Sequence, residues 1–318
     1  FPQGIRFDRR DKTALVDLHK MTEGSLDATI MVAYLPQPKQ GETFTSIVRK
    51  AYPSLAELKD VTPKGYADMI FDKIEAIVAS NQSYISLART PSELFANKRQ
   101  GRKSIMLGIE NGLALEGDIA NVEYFARRGI VYITLCHNGD NDICDSAKGC
   151  ATHNGVSQFG EKVIAEMNRL GIMVDMSHAG EKSFYDALDI SSKPIVCSHS
   201  SARSLCDHPR NLTDDQMRQL ARKGGVAQIT LYPGFLRTVG KASIEDALQH
   251  LNHAIDIMGI DHVGLGTDFD GDGGVPGIAD ASEIMNFTRS LLIRRFSADD
   301  IQRIMGGNFV RVMKEIKN

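Results

Sequence analysis

No apolar run in this 318-residue chain approaches the roughly 18 residues that a membrane-spanning helix requires. No basic stripe and no Lys/Arg run interleaved with aromatics appears, and the net charge is −3. Nucleic acid is therefore not an expected partner. Cysteine is sparse: five residues, with no Cys-x-x-Cys spacing, which excludes a disulfide scaffold and a structural zinc knuckle. Cys144 and Cys150 flank a polar loop that an oxidising compartment could bridge, but unpaired thiols are the favoured reading, and Cys136 and Cys197 are expected as buried packing. The opening residues FPQGIRFDRRDK do not resemble a signal peptide. No repeat, low-complexity tract or linker divides the chain, so residues 1–318 are expected to form a single domain.

What the chain does have is a series of short β-branched-rich runs that each end on a residue able to bind metal. KSIMLGIE ends on Glu110, IVYITLCH on His137, GIMVDMSH on His178, PIVCSH on His199 and HVGLGTD on Asp268. Helical segments separate most of them. NVEYFARR stops at Gly129, Thr213 and Gln216 form a capping box before 214–223, and Ser243/Asp246 and Ser297/Asp300 are weaker helix starts. Alternating strand and helix implies parallel strands with right-handed crossovers. Continuous apolar strands imply burial on both faces.

Seven strands are read: 28–36, 104–110, 130–137, 171–178, 194–199, 226–232 and 262–268, with a helix near 62–88. A closed TIM-like (β/α)8 barrel needs eight. Residues 1–26 supply only a turn-rich lead-in and ALVDLHKMTEG, a loop or short helix. The expectation is a TIM-like (β/α)8 metallohydrolase barrel whose first strand lies before residue 1. An open doubly wound sheet is the alternative.

Two imidazoles and a carboxylate on strand ends suit zinc, which accepts nitrogen and oxygen ligands. Glu110, His178 and His199 are the candidate metal ligands, because parallel strands bring their carboxyl ends to one rim. A single strand-end histidine is more often a hydrogen-bonded core residue; three ligands at three such ends favour a metal. Asp268 is the candidate for moving a proton. Asp270 fits an Asx turn or helix cap better. His137 could donate to a developing oxyanion, ligate metal or brace the turn after it, the first being slightly favoured. Arg210, in the loop after His199, could clamp a carboxylate with two parallel bonds, although a loop arginine is more often a surface ion pair. His250 and His253 fall on one amphipathic helix and are expected at the surface or at an interface. His262 opens a strand at the stability end, and His19, His153 and His208 are loop residues, with His208 near Arg210. The polar stretch 138–150 is long enough to cover the site.

Together the motifs resemble the membrane dipeptidase (renal dipeptidase) family of amidohydrolase-like metal barrels. The resemblance runs through VDLHKMTEGSLDA, GIENG, TLCHN, VDMSH, CSHSSAR, HPRN, GTDFDG and GGNFVRV, along essentially the whole chain. It implies that Glu110 bridges two zinc ions and that His178 and His199 hold one of them. It further implies that His137 contacts the substrate carbonyl, Arg210 binds the dipeptide carboxylate and Asp268 assists proton transfer. The family's strand-one His-x-Asp pair, which holds the other zinc, is not in this sequence; His19-Lys20-Met21 lacks the carboxylate. That implies a partial metal site, and it agrees with the strand count.

The expected activity is zinc-dependent hydrolysis of a dipeptide by metal-activated water. The rivals are a non-catalytic ligand- or partner-binding barrel with a degenerate metal site, and a related amidohydrolase acting on a lactam, lactone or phosphoester. The resemblance also implies homodimers and an exported, periplasmic or membrane-anchored location.

Overall fold

A computed structural model describes residues 6–39, 41–52, 55, 57 and 60–317; the first five residues of the expected lead-in lie outside that set. Among the described residues there are eight strands: β1 (Ala28–Tyr34), β2 (Ile85–Leu87), β3 (Lys103–Glu110), β4 (Ile130–Thr134), β5 (Met173–Asp175), β6 (Val196–Cys197), β7 (Val226–Thr230) and β8 (Val263–Gly266). The sheet order is β1-β3-β4-β5-β6-β7-β8, with β2 added on β3, and every described pairing between named strands is parallel. Strands that follow one another in chain order without reversal are those of a TIM-like α/β fold. A doubly wound sheet would reverse direction at a switch point.

Seven of the strands are those read from sequence. β2 is new. The helix expected near 62–88 ends sooner, at Pro63–Ser80 with Asn81 as its cap, and Ile85–Leu87 then pairs with the start of β3. Three residues are too few to print a period of two. β5 and β6 are shorter than expected, for a physical reason. The Asp175 carboxylate accepts the backbone N–H of Ser177 (3.1 Å) and of Ser198 (2.8 Å), so these residues bond to a side chain where a ladder would otherwise continue.

The chain folds into two compact units, each with its own core. The first holds residues 28–174 and 178–186. In it Ile105, Leu107 and Ile133 from the sheet, with Phe71 and Phe125 from flanking helices, are fully buried. The two phenyl rings meet edge to face at 6.1 Å. All five residues of β4 are buried, as a strand covered on both faces requires. Local signals set the helix ends: Thr90 with Glu93 closes a capping box, and Gly129 takes the left-handed φ of 88° that stops the helix Ala120–Arg128.

The second unit holds residues 7–27, 175–177 and 187–318, packed around Met217, Leu220, Val226, Ile229, Leu248, Leu251 and Phe287. The capping box expected at Thr213 is present, and the weaker starts expected at Ser243 and Ser297 also prove to be capping boxes. Asn308, from the GGNFVRV motif, is buried and donates to the carbonyls of Ile260 (2.7 Å) and Val263 (2.8 Å), fixing the start of β8. ALVDLHKMTEG contains the short helix Leu18–Glu23, capped by Asp17. Its Lys20 is buried and paired with Asp17 and Asp280.

His250 corrects an expectation. It is buried, not superficial: Nδ1 accepts the Ala202 N–H (3.0 Å) and Nε2 donates to the Leu236 carbonyl (3.0 Å). Burial lowers its pKa, so the neutral ring is a core brace. His253 does sit on the partly exposed face, paired with Asp214.

Candidate metal centre

In the first unit, Glu110 is the last residue of β3, in register with Tyr34 of β1 and Thr134 of β4. Its Oε1 lies 3.2 Å from Nε2 of His178. His178 follows β5 with φ 73°, a left-handed conformation that costs a residue with a Cβ about 1–2 kcal/mol. Its ring Nδ1 is 3.2 Å from the Asn138 Oδ1, with the amide oriented to accept. With Nδ1–H donating to that oxygen, Nε2 faces the Glu110 carboxylate. Two acceptors at that separation need a cation between them, either a proton or a metal.

His137 stands beside this pair. Its ring centroid is 4.2 Å from that of His178 and 4.8 Å from that of Tyr34. Burial, and then the nearby negative charge of Glu110, push the Tyr34 phenol up to about 12. Tyr34 is therefore a neutral hydroxyl at the end of β1. Sequence reasoning missed it, because it ends its strand on a residue that is seldom a metal ligand.

In the second unit, His199 follows β6. Its Nδ1 is 2.8 Å from Ser198 Oγ, and Ser198 Oγ donates to Asp175 Oδ2 at 2.6 Å. The serine proton is committed to the carboxylate, so Ser198 accepts from His199 Nδ1–H, and Nε2 carries the lone pair. The His199 backbone N–H donates to Ser177 Oγ (2.9 Å). This carboxylate–serine–histidine chain orients the ring as outer partners do at metal sites. Asp175 was also missed by sequence reading. Its signal was present: a carboxylate inside the otherwise apolar VDM segment, which in the fold is fully buried.

Glu110 and His178 in the first unit, and His199 in the second, each offer one candidate ligand atom. Of the expected ligand set, Glu110 and His178 meet within the first unit. Both imidazoles present lone-pair nitrogens fixed by partners on the opposite ring atom, and the third donor is an oxygen. Such a set fits a divalent cation of zinc's character.

The other expected site residues fall as follows. Arg210 is buried, with Nη2 3.4 Å from the His199 carbonyl and its guanidinium carbon 5.3 Å from the centre of the Phe235 ring. Its N–H donates to His208 Nδ1 (3.1 Å), and the His208 ring packs on Phe235 at 4.5 Å. Asp268 lies two positions past the end of β8 with φ 56°, its carbonyl accepting the N–H of Gly271 (3.0 Å) and Gly273 (2.9 Å). Asp270 is a long-range clamp where a local cap was expected: its carboxylate accepts the N–H of Leu15 (2.7 Å) and Val16 (3.2 Å). All five cysteines are unpaired thiols, and Cys136 and Cys197 are buried as expected.

A parallel α/β sheet with strands in chain order, and with glutamate and histidine at or just past strand ends, is the architecture of TIM-like metal-dependent hydrolases. Comparison with known proteins narrows this. The model of the membrane dipeptidase family, peptidase family M19, matches residues 3–318. A dipeptidase of Claviceps purpurea, tcpJ, is 31% identical over 312 residues, covering 97% of this chain and 71% of the relative. Dipeptidase 3 of Mus musculus is 31% identical over 255 residues, covering 78% of this chain and 52% of the relative. The fold is similar to that of the probable dipeptidase PvdM from Pseudomonas aeruginosa, with TM-score 0.88, 23% identity and coverage of 98% and 90%. The chain belongs to the membrane dipeptidase family. The members of that family are metal-dependent dipeptidases. Among the described residues, no helix is long and apolar enough to cross a membrane.

Proposed function

We propose that residues 1–318 act as one zinc dipeptidase domain in which Glu110, His178 and His199 hold the metal. The observation that carries this reading is the pair of oriented lone pairs: His178 Nε2 at 3.2 Å from a Glu110 oxygen, and His199 Nε2 set by Ser198. Glu110, with two oxygens, is the residue able to share a second ion. When bound, zinc polarises an amide carbonyl and makes a water acidic enough to attack at neutral pH.

The chain's own residues supply the remainder. Arg210 binds the free carboxylate of a dipeptide through two parallel bonds, which sets the preference for short substrates. His137 donates a hydrogen bond to the carbonyl oxygen as charge builds there. Asp268 takes a proton from the attacking water and passes it to the departing amine as the C–N bond breaks. The phenol of Tyr34, kept neutral, is a further donor beside His137. Family membership also supports a homodimer with an exported or membrane-anchored location.

The deciding experiment is metal analysis of purified protein with an assay on a dipeptide and on the same dipeptide amidated at its C-terminus. Bound zinc with cleavage confined to the free acid is expected. Zinc-free protein that binds no zinc, or equal rates on both substrates, rejects the reading. Turnover of a lactone or lactam with no carboxylate would point to a different amidohydrolase.

A further inference from the structure

The polar loop between β4 and the helix Gln158–Leu170 reaches back to the strand ends of the first unit. Two of its side chains, Asn141 and Ser146, fasten the ends of neighbouring strands. Asn141 donates through its amide to the Leu135 carbonyl (2.8 Å), just past β4, and to Oδ1 of Asn111 (2.9 Å), the residue after Glu110. Asn111, at φ 82°, in turn donates to the Leu35 carbonyl (3.1 Å), just past β1. Ser146 donates its hydroxyl to the His137 carbonyl and lies 3.3 Å from the His178 carbonyl, which also accepts the Ala147 N–H at 2.8 Å.

The loop is itself anchored. One oxygen of Asp140 accepts the Ser146 N–H (2.8 Å), and the other accepts the N–H of Cys150 (2.9 Å) and Thr152 (3.1 Å) and the Thr152 hydroxyl (2.7 Å). Gly149 permits this approach, since a Cβ there would fall 1.5 Å from Asp140 Oδ1. Residues 145–147 also form a short antiparallel contact along His178 and Ala179: Gly180 N–H bonds to the Asp145 carbonyl (2.9 Å), and Ser146 bridges Ala179. The left-handed backbone of His178 is therefore held by the loop, from the carbonyl side.

We propose that residues 140–147 are a strap that pre-sets the ligand-bearing ends of β3 and β5 before zinc arrives, with Ser146 its positioning residue. The proposal rests on the zinc reading of Glu110 and His178. Neither Ser146 nor Asp140 donates to zinc; each acts on affinity through the backbone of a ligand. A ligand whose left-handed backbone is already held loses less freedom when the ion binds, so the strap raises affinity by preorganisation. A role in stability alone would leave affinity unchanged.

The test measures the zinc Kd of wild type, Ser146→Ala and Ser146→Thr by competition with a chromophoric chelator, beside the Tm of each zinc-free protein. Ser146→Ala is expected to weaken zinc binding about 10-fold, the lower end of what outer partners contribute at metal sites. Ser146→Thr keeps the hydroxyl and is expected to stay within about two-fold of wild type. A Ser146→Ala protein with lowered Tm and a wild-type zinc Kd overturns the strap and leaves the metal centre standing. Wild type that takes up no zinc overturns both. Should Ser146→Ala fail to fold, Asp140→Asn carries the test, because it loosens the anchor and leaves the hydroxyl in place. Its zinc Kd should rise in the same direction, and an unchanged value overturns the proposal.

Discussion

Removing one hydroxyl, in Ser198→Ala, should weaken zinc binding through His199 without touching a ligand. Ser198 Oγ stands between Asp175 Oδ2 (2.6 Å) and His199 Nδ1 (2.8 Å). Asp175 keeps two backbone donors on its other oxygen, from Ser177 and Ser198, so its charge stays hydrogen-bonded and the protein should fold. The loss to stability is that of one hydrogen bond to a buried carboxylate, about 1.5–3 kcal/mol. The larger consequence falls on the imidazole. With no acceptor at Nδ1, the tautomer that keeps the lone pair on Nε2 loses its partner, at a cost of about 1–3 kcal/mol for a buried donor left unmade. At 1.4 kcal/mol per factor of ten this is roughly 5- to 150-fold in affinity, in line with the ~10- to 100-fold typical of such outer partners. Chelator competition reads the zinc Kd, and urea unfolding of the zinc-free protein separates the stability cost. Ser198→Thr retains the oxygen and should behave as wild type. A Ser198→Ala protein that unfolds cooperatively yet binds zinc within two-fold of wild type refutes the relay.

Arg210→Ala should raise KM for a dipeptide by more than about 30-fold, the loss of ~2 kcal/mol from a charged double hydrogen bond, with little change on the C-terminally amidated substrate; parallel losses would reject the clamp. Although burial pushes the Asp140 carboxyl up, the hydrogen bonds from Ser146, Thr152 and Cys150 outweigh it, and its pKa lies below the ordinary value. Its contribution to stability is thus full above the ordinary carboxylate pKa of about 4 and fades as pH falls through the lowered one, so Asp140→Asn should flatten the acid side of a Tm-against-pH curve. A curve of unchanged steepness would count against it. Gly273→Ala should lower stability by about 2 kcal/mol or more, because a Cβ there would meet the Thr267 carbonyl oxygen at 2.1 Å and the Asp268 carbonyl oxygen at 2.6 Å. Equilibrium urea unfolding measures it, and a loss under about 0.5 kcal/mol would contradict the packing.

Much of the site was legible because polar ligands interrupt apolar strands at their ends. Glu110, His178 and His199 each stand out against the β-branched run before them. The capping boxes at Thr213, Ser243 and Ser297 were equally legible, since a cap is a contact between residues three apart. β2 escaped because three residues carry no period. The surface reading of His250 failed because a helical stripe shows only which face is polar, not what packs against it; here the Ala202 N–H and Leu236 carbonyl supply partners on both sides of the ring.

Local order in the chain therefore determined the elements, their sequence and the donor atoms at their ends, because those depend on patterns spanning a few residues. Tertiary structure alone decided the ring partners of His178 and His199, the links from Asp175 through Ser198, the grip of residues 140–147 on three strand ends and the reach of Asp270 to Leu15 and Val16. Those features join groups up to 255 positions apart through single hydrogen bonds. A hydrogen bond depends on distance and angle in space, and a residue's type and neighbours along the chain carry no record of either.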